Sequence, residues 1–188
     1  MSGREPFLER LVQAFEKADI PYMISGSIAS SFHGHPRATN DIDIIIDPTF
    51  SQLQTFLDTL DAQWYVSKEA AKQARIDRQM FNIIDIQSGQ KADLIIRKSA
   101  PFYQQEFSRR FRADVLGVRA YILSSEDSIL SKLAWAKETG SEYQLKDIMG
   151  ILTVQGDKLD MDYLRAWAKQ LGVDQTLKTL IWEAEKLK

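Results

Sequence analysis

Residues 26–46 read GSIASSFHGHPRATNDIDIII, and this stretch decides the fold of the chain. Its first two residues, Gly26-Ser27, follow a short apolar segment at 22–24 and predict a tight turn that opens a helix over 27–32. The isoleucine-rich run that closes the stretch predicts a β-strand over 41–46. We therefore expect a strand, a turn, a helix and a second strand in succession.

Two aspartates alternate at the start of the second strand. Residues i and i+2 of a strand point to the same face, about 6.6 Å apart, so Asp41 and Asp43 repel each other unless a cation lies between them. Carboxylate oxygens favour Mg²⁺ or Mn²⁺. The run Ile44, Ile45 and Ile46 predicts a strand buried on both faces, which argues against aspartates that merely face solvent. We predict that Asp41 and Asp43 bind a divalent metal ion.

The turn before the first helix is a candidate phosphate site. Gly26 allows the backbone to approach a phosphate closely, and Ser27 adds a hydroxyl group. The free N–H groups of a helix start attract anions. An ordinary helix N-cap is the alternative role for Ser27. Arg37 and Thr39, in the loop before the metal-binding strand, are either phosphate ligands or plain loop residues.

The string from Gly26 to Asp43 resembles the signature of the nucleotidyltransferase superfamily, which has the DNA polymerase β-like fold. It is similar to small bacterial stand-alone members and, more distantly, to AbiEii-type toxins. The resemblance continues in order through residues 91–95, 125–132 and 143–147. It implies a Mg²⁺-dependent enzyme that transfers a nucleoside monophosphate from a nucleoside triphosphate (NTP) to a hydroxyl group. The acceptor would belong to a small molecule, a protein or an RNA end.

The resemblance also implies roles for later residues. Asp93 would be the third catalytic carboxylate and would accept the proton of the attacking hydroxyl group. Asp85 competes for this position because it lies on the partner strand of a hairpin whose register the sequence leaves open. Lys132 would bind the triphosphate, and Lys146-Asp147 would brace the site; an exposed lysine and an exposed helix pair are the alternatives. The predicted catalytic and metal-binding residues are Asp41, Asp43 and Asp93, and the predicted nucleotide-binding residues are Gly26, Ser27, Arg37, Thr39, Lys132 and Asp147.

The whole chain predicts an α+β protein, with a mixed sheet flanked by helices and then a C-terminal helical bundle. Thr49 is a candidate helix cap, and Ser88-Gly89 marks a hairpin turn. We place a nucleotidyltransferase core at 1–123 and a helical subdomain at 124–188. Helices are predicted at 5–18, 27–32, 50–60, 67–75, 101–111 and from 125 onward, and strands at 21–25, 41–46, 64–66, 80–86, 92–96, 115–118 and 120–123.

Composition narrows the function classes. The 188 residues carry a net charge of -2 and no cysteine, which excludes a disulfide framework and thiolate zinc sites. No stretch approaches 18 apolar residues, so we expect a cytoplasmic, bacterial protein without a membrane segment. The basic cluster at 109–112 is too short for general nucleic-acid binding. His33 and His35 are predicted to be loop histidines and not zinc ligands.

Two further hypotheses come from other functional classes. A protein of this fold could bind a nucleotide or a partner without catalysing transfer, although all three acidic positions are present. It could also be the toxin of a toxin–antitoxin pair that acts on tRNA, with the antitoxin as its partner. A specific tRNA or RNA end can be recognised through few contacts, so the low net charge does not exclude it.

Overall fold

The computed structural model of the protein describes residues 6–39 and 41–187. Within them the chain forms two compact units. The sheet unit comprises residues 6–24 and 41–122, and the helical unit comprises residues 25–39 and 123–187. The segment 25–39 thus groups with the C-terminal helices, although it lies inside the predicted core. The division into domains at 1–123 and 124–188 stays a prediction.

The sheet unit contains a mixed sheet, as predicted for an α+β fold. The strand order is β3-β4-β5-β2-β1-β7-β6, with the following bounds: β1 (Tyr22–Ile24), β2 (Asp41–Ile46), β3 (Trp64–Tyr65), β4 (Met80–Asp85), β5 (Lys91–Ile96), β6 (Phe111–Val115) and β7 (Val118–Ile122). β2 runs parallel to β5 and β1 runs parallel to β7, whereas the other neighbouring strands are antiparallel.

The helices are labelled in chain order across both units. Those of the sheet unit are α1 (Phe7–Lys17), α3 (Phe50–Thr59), α4 (Lys68–Asp77) and α5 (Pro101–Ser108). Those of the helical unit are α2 (Gly26–His33), α6 (Ser125–Thr139), α7 (Glu142–Gln155), α8 (Met161–Leu171) and α9 (Asp174–Glu185), with a short 3-10 helix at Gly156–Lys158. Across the described ranges, no helix is both long and apolar enough to cross a lipid bilayer.

The central strand β2 buries only one of its faces. Ile42, Ile44 and Ile46 are at most 9% exposed, whereas Asp43 and Ile45, on the opposite face, are partly exposed. The prediction of a strand buried on both faces is therefore wrong. The half-exposed face can carry ionised side chains at a lower desolvation cost, because water still reaches it.

Helices α1 and α3 pack through aromatic rings in the sheet unit. The ring of Phe15 lies 5.1 Å from that of Phe56 and 5.4 Å from that of Tyr22, measured between centroids. Helix α3 begins with a capping box, in which the side chains of Thr49 and Gln52 each accept a hydrogen bond from the other residue's backbone N–H. The predicted cap at Thr49 is confirmed, and it satisfies two N–H groups that the helix leaves unpaired.

The hairpin formed by β6 and β7 differs from the prediction. The sequence pattern placed a strand over 115–118, but β6 ends at Val115 and β7 begins at Val118. Leu116 and Gly117 form the turn between them, with φ angles of 54° and 81°. Two-residue hairpin turns need positive φ at such positions, and glycine provides it without strain. The turn was not predicted because Val115, Leu116 and Val118 are apolar and therefore resemble a continuous strand.

The prediction that both histidines lie in a loop is wrong for His33. It is the last residue of α2 and is buried, and its Nε2 lies 2.7 Å from the carbonyl oxygen of Leu123. Burial lowers the pKa of His33, so the ring is neutral at pH 7 and its Nε2–H donates to this carbonyl. His35 does lie in a loop. The helix simply continues one residue beyond the predicted end at Phe32.

Candidate functional site

Three predicted acidic residues lie on the same side of the sheet, on neighbouring strands. Asp41, Asp43 and Asp93, here called the carboxylate group, lie on the parallel neighbours β2 and β5. The register pairs Asp43 with Asp93 and Asp41 with Lys91. Residues two apart on a strand share a face, and residues paired across strands lie on the same side of the sheet. The tertiary fold thus collects carboxylates that stand fifty residues apart in the sequence.

Asp85, the alternative third carboxylate, belongs to a different environment. Asn82 of β4 pairs with Asp93, and Asp85 lies three residues further along the same strand. The odd spacing directs its side chain to the opposite face of the sheet. There Asp85 is 2% exposed and forms an ion pair of 2.6 Å with Arg10. Of the two candidates, only Asp93 joins the carboxylate group, and its catalytic role stays a prediction.

The structure adds Lys91 to the carboxylate group. Its Nζ lies 3.5 Å from Oδ1 of Asp41 and 3.2 Å from Oδ1 of Asp93. Partial burial disfavours the ammonium, but hydrogen bonds and charge from Asp93 and Asp41 outweigh it and raise the pKa of Lys91. Asn82 also donates to Oδ1 of Asp93. Sequence reasoning gave Lys91 no role, although its spacing of two from Asp93 was a signal that both side chains share a face.

The donor chemistry of the carboxylate group fits a hard divalent cation. All three side chains offer oxygen ligands, which Mg²⁺ and Mn²⁺ prefer. A cation already lies between two of the carboxylates, since the Lys91 ammonium contacts Asp41 and Asp93. In residues 6–39 and 41–187, however, no three His, Asp or Glu side chains converge closely enough to hold a metal ion. Metal binding by the carboxylate group stays a prediction.

The helical unit contains an ion network formed by Arg37, Lys132 and Asp147. The Asp147 carboxylate accepts from Lys132 Nζ at 2.8 Å and from Arg37 Nε at 3.0 Å. Lys132 also donates to Gln144 Oε1 at 3.0 Å. The Lys132 and Asp147 side chains are only 8% and 9% exposed. Burial opposes ionisation of Asp147, but the hydrogen bonds and charges of Lys132 and Arg37 outweigh it and lower the pKa of Asp147.

Ser27 contacts this ion network. The Arg37 guanidinium donates to Ser27 Oγ through its Nη2 atom. The N-cap of α2 is Ser25, not Ser27, so the N-cap alternative for Ser27 is wrong. Gly26 is the first residue of the helix and has φ of 58°, a left-handed conformation that favours glycine. The turn therefore presents the Ser27 hydroxyl beside a cation, an arrangement suited to binding an anion.

Two other predicted positions have different surroundings. Lys146 lies with its Nζ 5.5 Å from the centroid of the Tyr143 ring. The partners of Asp147 are Lys132 and Arg37 and its side chain is only 9% exposed, so the alternative of an exposed helix pair is wrong for Asp147. The bracing role of Lys146-Asp147 stays a prediction. Thr39 is exposed in the loop, and its contact with phosphate stays a prediction. Lys146 and Asp147 have different neighbours because adjacent residues of a helix point in different directions.

The basic cluster at 109–112 is engaged in packing and pairing. Arg110 lies over the rings of Phe107 and Tyr121, at 4.3 Å and 5.1 Å from their centroids. Arg112 forms an ion pair with Glu16 and also lies over Tyr121. These arginines stabilise the sheet unit through cation–π and ionic contacts. Because Arg110 and Arg112 already make these contacts, their guanidinium groups are less available to a nucleic acid than the sequence suggests.

Solved structures similar to this chain are nucleotidyltransferases. The antibiotic-resistance factor ANT(2″)-Ia has a TM-score of 0.56 and 16% identity over 87% of this chain and 89% of its own. The same factor in complex with adenylyl-2″-tobramycin has a TM-score of 0.55 and 14% identity, with coverages of 87% and 95%. The lincomycin-bound lincosamide antibiotic adenylyltransferase LnuA has a TM-score of 0.51 and 14% identity, with coverages of 78% and 95%. No protein-family model and no curated protein matches the sequence. At these identities the likeness shows a shared fold.

Proposed function

We propose that this protein, which has the fold of the nucleotidyltransferases, transfers a nucleoside monophosphate from an NTP to a hydroxyl group. The observation that carries the proposal is the register of β2 and β5, which sets Asp43 beside Asp93 with Asp41 on the same face. Mg²⁺ or Mn²⁺ held by these carboxylates would supply Lewis-acid activation of the hydroxyl group and neutralise phosphate charge.

The reaction breaks a phosphoanhydride bond of the NTP and forms a phosphate ester bond to the acceptor. The acceptor oxygen forms a bond to the α-phosphorus, the bond to the leaving pyrophosphate breaks, and the hydroxyl proton passes to Asp93. The contacts of Asp93 Oδ1 with Asn82 and Lys91 hold this carboxylate in a defined orientation. Catalysis in such chemistry comes mainly from positioning and charge stabilisation. The sheet unit provides both through side chains fixed on adjacent strands.

The ion network of the helical unit supports a role in triphosphate binding. Two cations, Arg37 and Lys132, share the carboxylate of Asp147, so these three side chains together carry a formal charge of +1. The hydroxyl group of Ser27 and the N–H groups at the start of α2 add neutral donors for phosphate oxygens. Asp147 does not contact the anion in this proposal. It positions the two cations that do.

A small hydroxylated molecule is the acceptor that we favour. The similar ANT(2″)-Ia structure holds adenylyl-2″-tobramycin, and the similar LnuA structure holds lincomycin. In this chain, Arg110 and Arg112 already pair with aromatic and acidic side chains. A polyanionic acceptor would therefore meet little available positive charge there.

The test supplies each α-³²P-labelled NTP with Mg²⁺ and a cell extract and then measures the label in products resistant to both nuclease and protease. We expect labelled small molecules from the wild type and from Asp58→Asn, a control that changes a surface aspartate in an ion pair with Lys68. Asp43→Asn should lower transfer by about a thousandfold, which corresponds to about 4 kcal/mol in the activation barrier.

Each alternative gives a different result in the same experiment. Label that ribonuclease removes and protease spares would assign an RNA acceptor and favour the tRNA-directed toxin. Nucleotide binding without any transfer, measured separately by calorimetry, would favour a non-catalytic nucleotide-binding protein. If no NTP binds and no product carries label, the proposed activity is wrong.

A further inference from the structure

Lys91 is the cation that the sheet unit places within its own carboxylate group. It begins β5 directly opposite Asp41, and Asp93 follows it by two residues on the same face. The side chain is 35% exposed, so the protein restrains it while water still reaches the ammonium. Its position follows from the register of two parallel strands and not from a flexible loop.

The Lys91 ammonium uses the carboxylate oxygens that a divalent cation would need. It contacts Oδ1 of Asp41 and Oδ1 of Asp93, and this oxygen of Asp93 accepts a second hydrogen bond from Asn82. The three carboxylates carry a formal charge of -3, which Lys91 reduces to -2. The ammonium offsets part of the repulsion between Asp41 and Asp93 across the neighbouring strands.

We propose that Lys91 is a tethered counter-cation that holds Asp41 and Asp93 in place and that a divalent metal ion must displace. The inference rests on the proposed function, because it concerns the same carboxylate group. Lys91 thereby lowers the affinity of the group for metal, and it keeps the group ordered before metal arrives. It is a positioning residue that acts through the carboxylates and has no contact with the acceptor in this proposal.

The experiment measures Mn²⁺ binding without nucleotide, through the electron paramagnetic resonance signal of free Mn²⁺. Lys91→Met should bind Mn²⁺ about tenfold more tightly than the wild type, because the competing cation is gone. Without added metal, its thermal midpoint should fall, since the carboxylates lose their counter-charge. Added Mn²⁺ should then raise the midpoint by more than in the wild type. Lys91→Arg retains a cation and should keep the weaker affinity of the wild type.

Lys68→Met is the matched control. Lys68 forms a comparable ion pair with Asp58, at 3.1 Å, on helices away from the carboxylate group. This variant should bind Mn²⁺ as the wild type does, so that a general loss of positive charge does not account for the effect.

The outcomes separate this inference from the proposed function. If the wild type binds Mn²⁺ and Lys91→Met binds it equally or more weakly, Lys91 does not compete with metal and the inference alone is wrong. If neither the wild type nor Lys91→Met binds Mn²⁺ at millimolar concentration, the metal site of the proposed function is wrong as well. Binding that Lys91→Met shows and the wild type lacks supports the inference in its strongest form.

Discussion

Asp147 is the carboxylate that Lys132 and Arg37 share in the helical unit. It accepts hydrogen bonds from Lys132, Arg37 and Ser30, and its pKa is lowered although burial acts in the opposite direction. The carboxylate is therefore ionised at neutral pH. Removing this carboxylate would take a negative charge away from the buried Lys132 ammonium, which is costly where little water reaches.

We predict that Asp147→Asn destabilises the protein at pH 7 by about 2 kcal/mol, because hydrogen bonds to charged partners are lost. A carboxyl group whose folded-state pKa is lowered contributes stability above its ordinary pKa, near 3.8. That stability is lost as pH falls through the folded-state value. The free energy of unfolding of wild type and variant should therefore differ at pH 7, and this difference should begin to shrink below about pH 4 and vanish once pH lies below the folded-state pKa. Urea unfolding of wild type and variant at pH 7 and at acidic pH measures the difference in free energy of unfolding. A difference that does not change with pH would contradict the prediction.

Lys132→Ala should weaken NTP binding about ten- to a hundredfold, since a charge-assisted contact of about 1.5–3 kcal/mol is lost. Lys132→Arg should recover only part of the affinity, because a planar fork replaces a point charge. Calorimetry with a non-hydrolysable NTP and Mg²⁺ measures the effect. Lys137→Ala, on the same helix and with its ammonium on the Leu171 carbonyl, is the control. Equal affinities for Lys132→Ala and Lys137→Ala would show that Lys132 does not bind the triphosphate.

At the level of elements, the alternation of β2 and β5 explains why acidic residues can occupy the middle of a sheet. On one face the two strands bury Ile42, Ile44 and Ile46 of β2 and Ala92, Leu94 and Ile96 of β5. The opposite face carries the charged side chains together with the partly exposed Ile45 and Ile95. At the end of helix α2, the backbone packs closely against helix α7. A Cβ atom on Gly34 would lie 2.7 Å from the backbone of Gly150, so the two backbones are in direct contact.

We predict that Gly34→Ala destabilises the protein by about 3 kcal/mol, because the new methyl group meets backbone atoms that cannot turn aside. The φ angle of Gly34, -128°, is open to alanine, so the cost is steric. Gly140→Ala provides the comparison. It meets no atom within 4 Å but has φ of 70°, and it should cost about 1 kcal/mol. Urea unfolding that gives Gly34→Ala no larger cost than Gly140→Ala would argue against the close packing of α2 on α7.

For the whole molecule, the small negative net charge disfavours general binding to nucleic acids. The net charge is -2, and Arg112 is paired with Glu16. We predict a dissociation constant for a 30-nucleotide RNA weaker than about 10 µM at physiological salt, with a slope of log affinity against log salt of about -2 or shallower. Fluorescence anisotropy at several salt concentrations measures both quantities. A slope near -4 would reveal a phosphate-binding surface, and Arg112→Ala would then test whether the basic cluster forms it.

Much of the fold was predictable because it depends on local patterns. The strand at 41–46, the cap at Thr49 and the hairpin of β4 and β5 follow from residue spacing and turn chemistry. The predicted fold is confirmed by its likeness to solved structures of nucleotidyltransferases. The link to AbiEii-type toxins, the antitoxin partner, the Mg²⁺ requirement and the cytoplasmic location stay predictions. The strand predicted at 115–118 was wrong because apolar residues occupy a turn.

The sequence by itself determined that Asp41 and Asp43 share a face and that Gly26 opens a helix, since both are consequences of backbone geometry over a few residues. Only the tertiary structure decided that Asp93 joins them while Asp85 pairs with Arg10, and that Lys91 lies within the carboxylate group. Strand pairing and register depend on which apolar faces pack together across the whole chain. No short stretch of sequence contains that information, because the packing partners are distant in sequence.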